Sequence, residues 1–326
     1  MIHSKDIFNI KTEQDFSNIS LQVFKHQFEN NKVYRSFCDL INKHPSDVKA
    51  IIDIPFLPIQ FFKTHQVVSS KSTIETIFTS SGTTGSITSK HCVTDLEIYK
   101  NSFRKGFQKF YDDVQDYVVL ALLPSYLERE GSSLIYMVND MISKSNHLES
   151  GFYLNNLSEL KDTLISLDKQ GKKTLLVGVS FALLDLVETY RFSLQNTIVM
   201  ETGGMKGKRK ELVREELHSV LKQGFGVKEI HSEYGMTELL SQAYSKGNGI
   251  FQCPKWMRVL TRDTEDALGI NKTRKAGGIN IIDLANINSC SFIATQDLGR
   301  VFEDNSFEII GRFDNSDIRG CNLMVL

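Results

Sequence analysis

From Asp15 to Ile41 the chain reads DFSNISLQVFKHQFENNKVYRSFCDLI, with apolar side chains returning at three- and four-residue intervals. Such spacing puts them on one face of a helix, so the pattern predicts a helical, aromatic-rich N-terminal region. The next stretch, IPFLPIQFFKTHQVVS over 54–69, keeps the apolar content but carries Pro55 and Pro58, and two prolines this close break a helix. From Tyr117 the pattern changes. YVVLALLP, KKTLLVGVS and NTIVMETGG are short, largely β-branched runs that end near Gly, Ser or Pro and alternate with helix-like stretches. That alternation predicts a mostly parallel sheet covered by helices. Its last helix is expected in KRKELVREELHSVLKQGFG, where Leu212, Leu217, Val220 and Leu221 share one side.

Past Tyr244 the runs become strand-like: FQCPKWMRVLTR, GGINIIDLAN and SCSFIATQDLGRVFEDNSFEIIGRF. Within the last, FEDNSFEII reads as a hairpin, because Asp304 and Asn305 suit a tight turn. The expected organisation is an α/β fold in three parts. Residues 1–75 form a helical region packed on the main domain, 76–250 an α/β core, and 251–326 a β-rich subdomain that ends in a short tail.

With 326 residues, 41% of them hydrophobic, the chain can bury a large core. Lys and Arg number 38 against 39 Asp and Glu, a net charge of -1. No broad field therefore draws the chain to nucleic acid or to an anionic membrane, and small-molecule or protein partners are favoured. MIHSKDIFNIKTEQDF lacks a basic segment followed by an apolar one, and no apolar run is long enough for a bilayer span, so the expected location is cytoplasmic. The five cysteines, Cys38, Cys92, Cys253, Cys290 and Cys321, are scattered and never form a CxxC pair. That argues against both a disulfide framework and a zinc site, so any cysteine that matters should act as a thiol.

Two stretches carry candidate chemistry. TSSGTTG, from Thr79 to Gly85, combines close-set hydroxyls with glycines. Glycines let the backbone approach an anion, and successive N–H groups with Ser and Thr hydroxyls can cradle phosphates. The GxxxxGK[ST] spacing is not met, since Lys90 lies five residues past Gly85. Taken alone, such a segment is more often a flexible turn. The second stretch, EYGMTE from Glu233 to Glu238, follows the predicted strand VKEIH, where an open α/β sheet presents ligand sites. In isolation Tyr234 could be a core aromatic and Glu238 a helix-start carboxylate. His231 is expected to be a hydrogen-bonded histidine at a strand end.

Together, in order along the chain, these motifs resemble the adenylate-forming superfamily. TSSGTTG resembles its phosphate loop, ETGG (Glu201–Gly204) its adenine-side strand end, and YGMTE its motif at the α-phosphate and metal. TQDLGR and IIGRFD resemble the Asp and Arg segments that grip ribose. The resemblance implies ATP and Mg²⁺ as cofactors. It gives the β- and γ-phosphates to Thr79, Ser80, Ser81, Gly82, Thr83, Thr84 and Gly85, with Lys90 nearby, and adenine to Gly203, Gly204, Tyr234 and Gly235. Thr237 would bond the α-phosphate, Glu238 would hold the metal, and Asp297 and Arg312 would contact ribose or phosphate.

Most members of the superfamily continue into a mobile domain of roughly a hundred residues, whereas this sequence ends at Leu326. In that respect, and in PSYLEREGSSLIYMV over 124–138, it resembles the short acyl-protein synthetases, in which a cysteine near the C-terminus receives the acyl group. The resemblance implies that Cys321, with Arg319 beside it, accepts a fatty acyl group from acyl-AMP and delivers it to a partner acyl reductase, in a protein that could be a homo-oligomer. Without it, Cys321 reads as a small buried hydrophobe. The segment RGCN also resembles phenylacetate-CoA ligases, whose implied activity is acyl or aryl transfer to CoA or a carrier protein.

Overall fold

The 15–41 stretch folds as two helices, Glu13–Asn30 and Lys32–Leu40. Thr12 starts the first with a reciprocal capping box to Asp15. Asn31 starts the second by accepting the Tyr34 N–H at 3.0 Å, and its amide also donates to the Ser289 carbonyl at 3.0 Å. The break between the helices is therefore a capping residue, not a proline. The computed structural model describes residues 4–69, 72–80, 87–124, 131–203, 212–271 and 274–313.

The chain forms two compact units. The first comprises the described residues of Met1–Phe61, Val67–Ser69 and Lys255–Leu326, so the N-terminal helices and the β-rich C-terminal part lie in one unit; the second comprises those of Phe62–Gln66 and Ser70–Pro254. In the first, the strands Met257–Arg262, Gly277–Asp283, Phe292–Val301 and Phe307–Arg312 pair antiparallel in succession. The short strand Leu57–Pro58 joins Phe292–Val301 in parallel. The N-terminal helices cover this sheet with rings: Tyr34 stacks on Phe292 at 6.0 Å and Phe24 meets the same ring edge-on at 6.3 Å. A buried Gln27 donates to the carbonyls of Asn286 and Ile287 and accepts the Ser291 N–H, which satisfies peptide groups between strands. The predicted hairpin turn falls at Asp304 and Asn305, the latter with φ 63°.

In the second unit the strands Gly151–Phe152, Val118–Leu122, Thr174–Val179, Thr197–Thr202 and His231–Tyr234 lie side by side in that order, all parallel, and Ala243–Ser245 adds antiparallel at the edge. All five residues of Val118–Leu122 are buried, as a strand covered on both faces requires. Helices Leu96–Tyr111, Ser133–Ser145, Leu157–Lys169, Ser180–Thr189 and Arg214–Phe225 connect or flank the strands. Leu217, Val220 and Leu221 fall in the last of these, but it starts only at Arg214, after the Val213 cap, so Leu212 precedes the helix it is expected to join. Gly226, left-handed at φ 69°, ends it. Here the expected strand VKEIH is displaced. Pairing starts at His231, opposite Met200, and runs to Glu233, opposite Thr202. Among the described residues, no helix is long and apolar enough to cross a membrane.

Candidate functional site at the carboxyl edge of the parallel sheet

Thr76–Thr79 and Lys90–Val93 form an antiparallel hairpin in which Thr79 faces Lys90. The pairing continues one step further. The Ser80 N–H donates to the Ser89 carbonyl at 3.1 Å, and the Ser89 N–H donates to the Ser80 hydroxyl oxygen at 2.9 Å. The hairpin thus ends in two bonded serines, Ser80 and Ser89. Of the hydroxyl-rich stretch, Ser81, Gly82, Thr83, Thr84 and Gly85 lie outside the described residues. Thr79 is held from the other side by the Gly131 carbonyl at 2.7 Å, and Gly131 adopts φ 78°, a conformation that favours glycine. Lys90 is exposed.

The second and third motifs meet through strand register. Glu201 pairs with Ser232 and Thr202 with Glu233, so Gly203 and Tyr234 emerge from adjacent strands at the same edge. Glu233 and Tyr234 are the last residues of their strand, not the first after it. The Thr202 hydroxyl donates to the Glu233 carboxylate, which ties the two strand ends together. Ser180, at the head of its helix, donates to the Gly203 carbonyl at 2.7 Å and lies 3.2 Å from a Glu201 oxygen. Glu201 is 7% exposed, and its other oxygen faces His218 Nε2 at 3.5 Å. This buried carboxylate anchors the strand end that leads into Gly203. Gly204 lies outside the described residues.

After Tyr234 the chain makes a turn in which the Leu239 N–H donates to the Met236 carbonyl at 3.1 Å. Thr237 and Glu238 are its two central residues, and Glu238 is 5% exposed. The Tyr234 ring lies 5.8 Å from Phe251, whose face is covered by the Arg214 guanidinium at 5.0 Å. Gly235 has no room for a side chain, since a Cβ there would stand 2.4 Å from a Glu233 oxygen. His91, fully buried in the hairpin, bonds the Thr237 carbonyl through Nδ1 at 2.8 Å. Sequence reasoning passed over His91, because nothing at position 91 signals a partner 146 residues away.

His231 is bonded as expected, Nδ1 lying 3.1 Å from the Tyr111 hydroxyl. Burial, helped by Lys246, pushes its pKa down to about 4, so the ring is neutral at pH 7. Asp297 and Arg312 lie in the other unit, opposite each other on paired strands, with Arg312 Nε 3.1 Å from Asp297 Oδ1. Thr295 supports the carboxylate's backbone by accepting the Asp297 N–H. Burial raises the thiol pKa of Cys38 to about 12 and moves Cys92 and Cys290 upward as well. None of these three is a ready nucleophile, in keeping with core positions. Cys321 lies outside the described residues. Among the described residues no cluster of three or more His, Cys, Asp or Glu could hold a metal on protein ligands alone.

The parallel sheet, with Gly203 and Gly235 following the ends of two adjacent strands, is a fold shared with solved acyl-CoA ligases. A 2-hydroxyisobutyryl-CoA ligase in an open conformation, in complex with 2-HIB-AMP and CoA, matches with a TM-score of 0.65 at 12% identity, covering 91% of this chain and 74% of that one. ATP-bound MatB from Rhodopseudomonas palustris matches with a TM-score of 0.54 at 16% identity, covering 74% of this chain and 49% of that one.

Sequence comparison narrows the class. A family model described as acyl-protein synthetase, LuxE, matches residues 2–106. A long-chain-fatty-acid–luciferin-component ligase from Photorhabdus luminescens is 38% identical over 66 residues, which is 20% of this chain and 56% of the relative, so the match spans little more than half of that protein. The expected likeness is thus met in fold by the solved ligases and in sequence, over residues 2–106, by the acyl-protein synthetase model.

Proposed function

We propose that the protein activates a carboxylic acid, a fatty acid by the resemblance, as acyl-AMP at the expense of ATP, and then carries the acyl group on Cys321. The observation that carries this reading is the register of Thr202 with Glu233, which sets Gly203 beside Tyr234 and Gly235 in the unit that also bears the hydroxyl-loop hairpin. A flat base can lie along such a glycine-lined strand edge against the Tyr234 ring, with the triphosphate running toward hydroxyls and backbone N–H groups.

Adenylation requires two anions to meet. The acid's carboxylate oxygen bonds the α-phosphorus and the bond to pyrophosphate breaks, so the site must neutralise charge on the phosphates without supplying a base. Thr237 is assigned to the α-phosphate, Ser80, Ser81, Thr83 and Thr84 to the β- and γ-phosphates, and Asp297 to the ribose hydroxyls with Arg312 beside it. Mg²⁺ is commonly held by one or two carboxylates together with substrate phosphates. A single buried carboxylate, Glu238, next to the phosphate-side threonine fits that donor set. The bound ion would supply charge neutralisation at the phosphates. In the second step the Cys321 thiolate attacks the acyl carbon, AMP leaves, and the thioester is available to an acyl reductase partner.

ATP–pyrophosphate exchange across short, aromatic and long-chain acids tests the first step. Exchange with one class is expected, and Glu238→Gln should reduce it by orders of magnitude while the fold persists; absence of exchange with every acid would overturn the reading. Radiolabelled acyl groups should attach to the protein in the presence of ATP, be released by hydroxylamine, and disappear with Cys321→Ser. Label that survives this substitution removes the role given to Cys321, and acyl-CoA as the product would favour a CoA ligase.

A further inference from the structure

We infer that His91 is a positioning residue for the nucleotide site, holding the Thr237 carbonyl and thereby fixing Thr237 and Glu238 against the hairpin that carries the hydroxyl-rich loop. The inference rests on the acyl-activating reading above. It joins two motifs that the sequence keeps far apart.

The chemistry of the contact fixes its direction. A peptide carbonyl can only accept, so at 2.8 Å His91 Nδ1 must carry the proton and donate it. The turn that contains Thr237 uses its own closing bond between Met236 and Leu239, which leaves the Thr237 carbonyl to a donor from outside. His91 supplies it from a fully buried position, braced edge-on by the Phe62 ring at 5.8 Å. In the hairpin register His91 faces Phe78, one pair below Thr79 and Lys90 and two steps from the Ser80–Ser89 neck. A shift of the turn is therefore resisted by the strand from which the loop hangs. Without the donor, a carbonyl in a half-buried setting loses its partner, and the turn can rotate to find water.

The geometry demands a hydrogen-bond donor at the Nδ1 position, which asparagine can approximate and leucine cannot. Calorimetric titration of Mg·ATP into the full-length protein, with KM for ATP and kcat from pyrophosphate exchange, separates the possibilities. His91→Leu should weaken Mg·ATP binding and raise KM at least tenfold, and His91→Asn should recover most of the loss. If wild type binds Mg·ATP and the folded Leu variant binds it equally well, with only a lower thermal midpoint, the positioning role is overturned while the acyl-activating reading stands. If wild type itself does not bind Mg·ATP, both fall together. Should the Leu variant not fold, the ¹⁵N resonances of His91 in wild type decide: a proton on Nδ1 is required, and the Nε2 tautomer overturns the inference.

Discussion

Gly235 offers a direct test of how tightly the two strand ends are coupled. A Cβ at this position would lie 2.4 Å from Glu233 Oε1, with Gln242 Cγ at 3.4 Å and Glu233 Cδ at 3.5 Å the next nearest atoms. The Glu233 carboxylate must then retreat by about 1 Å to reach the 3.4 Å edge of ordinary contact. Carboxylates usually make such room cheaply, but this one is held by the Thr202 hydroxyl across the strand pair. Gly235→Ala therefore breaks a hydrogen bond to a charged group, worth about 1.5–3 kcal/mol, or displaces the backbone that leads to Thr237 and Glu238.

The same geometry predicts a strong coupling. In a Glu233→Ala background the obstructing oxygen is gone and only Gln242 Cγ remains at contact distance, so adding the methyl group should cost less than about 0.5 kcal/mol; removing a glycine's freedom in the unfolded chain even offsets part of that. Denaturant unfolding followed by circular dichroism on wild type, both single variants and the double variant gives the interaction energy, expected at about 1–3 kcal/mol. Mg·ATP titration of the same four proteins should show affinity falling in Gly235→Ala. Equal destabilisation by Gly235→Ala in the two backgrounds would refute the steric argument, and a neutral Gly235→Ala would show that the Thr202–Glu233 tie is not rigid.

Other consequences are simpler to state. His231 titrates near 4 when folded and near 6.5 when unfolded, so both states are neutral above pH 6.5 and the unfolded state alone gains protons as pH falls toward 4. Stability should drop across that window by at most about 3 kcal/mol, and the His231→Gln variant should lose less; parallel pH profiles for the two proteins would contradict the assignment. The Arg312–Asp297 pair has its arginine side chain 72% exposed, so Arg312→Ala should cost under about 1 kcal/mol of stability. A clear loss of ATP affinity in that variant would then come from the ligand and not from the fold; unchanged affinity removes Arg312 from the site. Cys38 and Cys290 should resist an alkylating reagent at pH 8 in the native protein and react on unfolding; native labelling at the rate of a free thiol would contradict their burial.

Much of the fold was readable because burial leaves periodic traces. The all-apolar run of Val118–Leu122 and the alternation of strands with helices predicted a parallel sheet, and the sheet is there. Asp304 and Asn305 predicted a hairpin, and Asn305 takes the positive φ such a turn requires. The expected strand at 227–231 lies too early, since the apolar Val227 and Ile230 look strand-like while the ladder runs from His231 to Tyr234. Ladder partners are a property of register, and a single sequence does not display register.

The supporting roles of His91 and Glu201 were not legible for a related reason. Each is a polar group buried at the site, and what makes it matter is a bond to a distant segment: the Thr237 carbonyl in one case, Ser180 and His218 in the other. Motif residues announce themselves through residue type and local spacing because ligand chemistry selects them directly. Residues that hold motifs in place are selected by geometry between elements, which any donor of suitable reach can satisfy. Both kinds lie close together here: Gly203 and Gly235 follow the ends of adjacent strands, while the bonds made by Thr202, Glu233, Ser180 and His91 fix the relative positions of those segments. A substitution in the second group should therefore change how well the first group binds without removing any group that touches the ligand, and binding measured apart from turnover is the observable that distinguishes them.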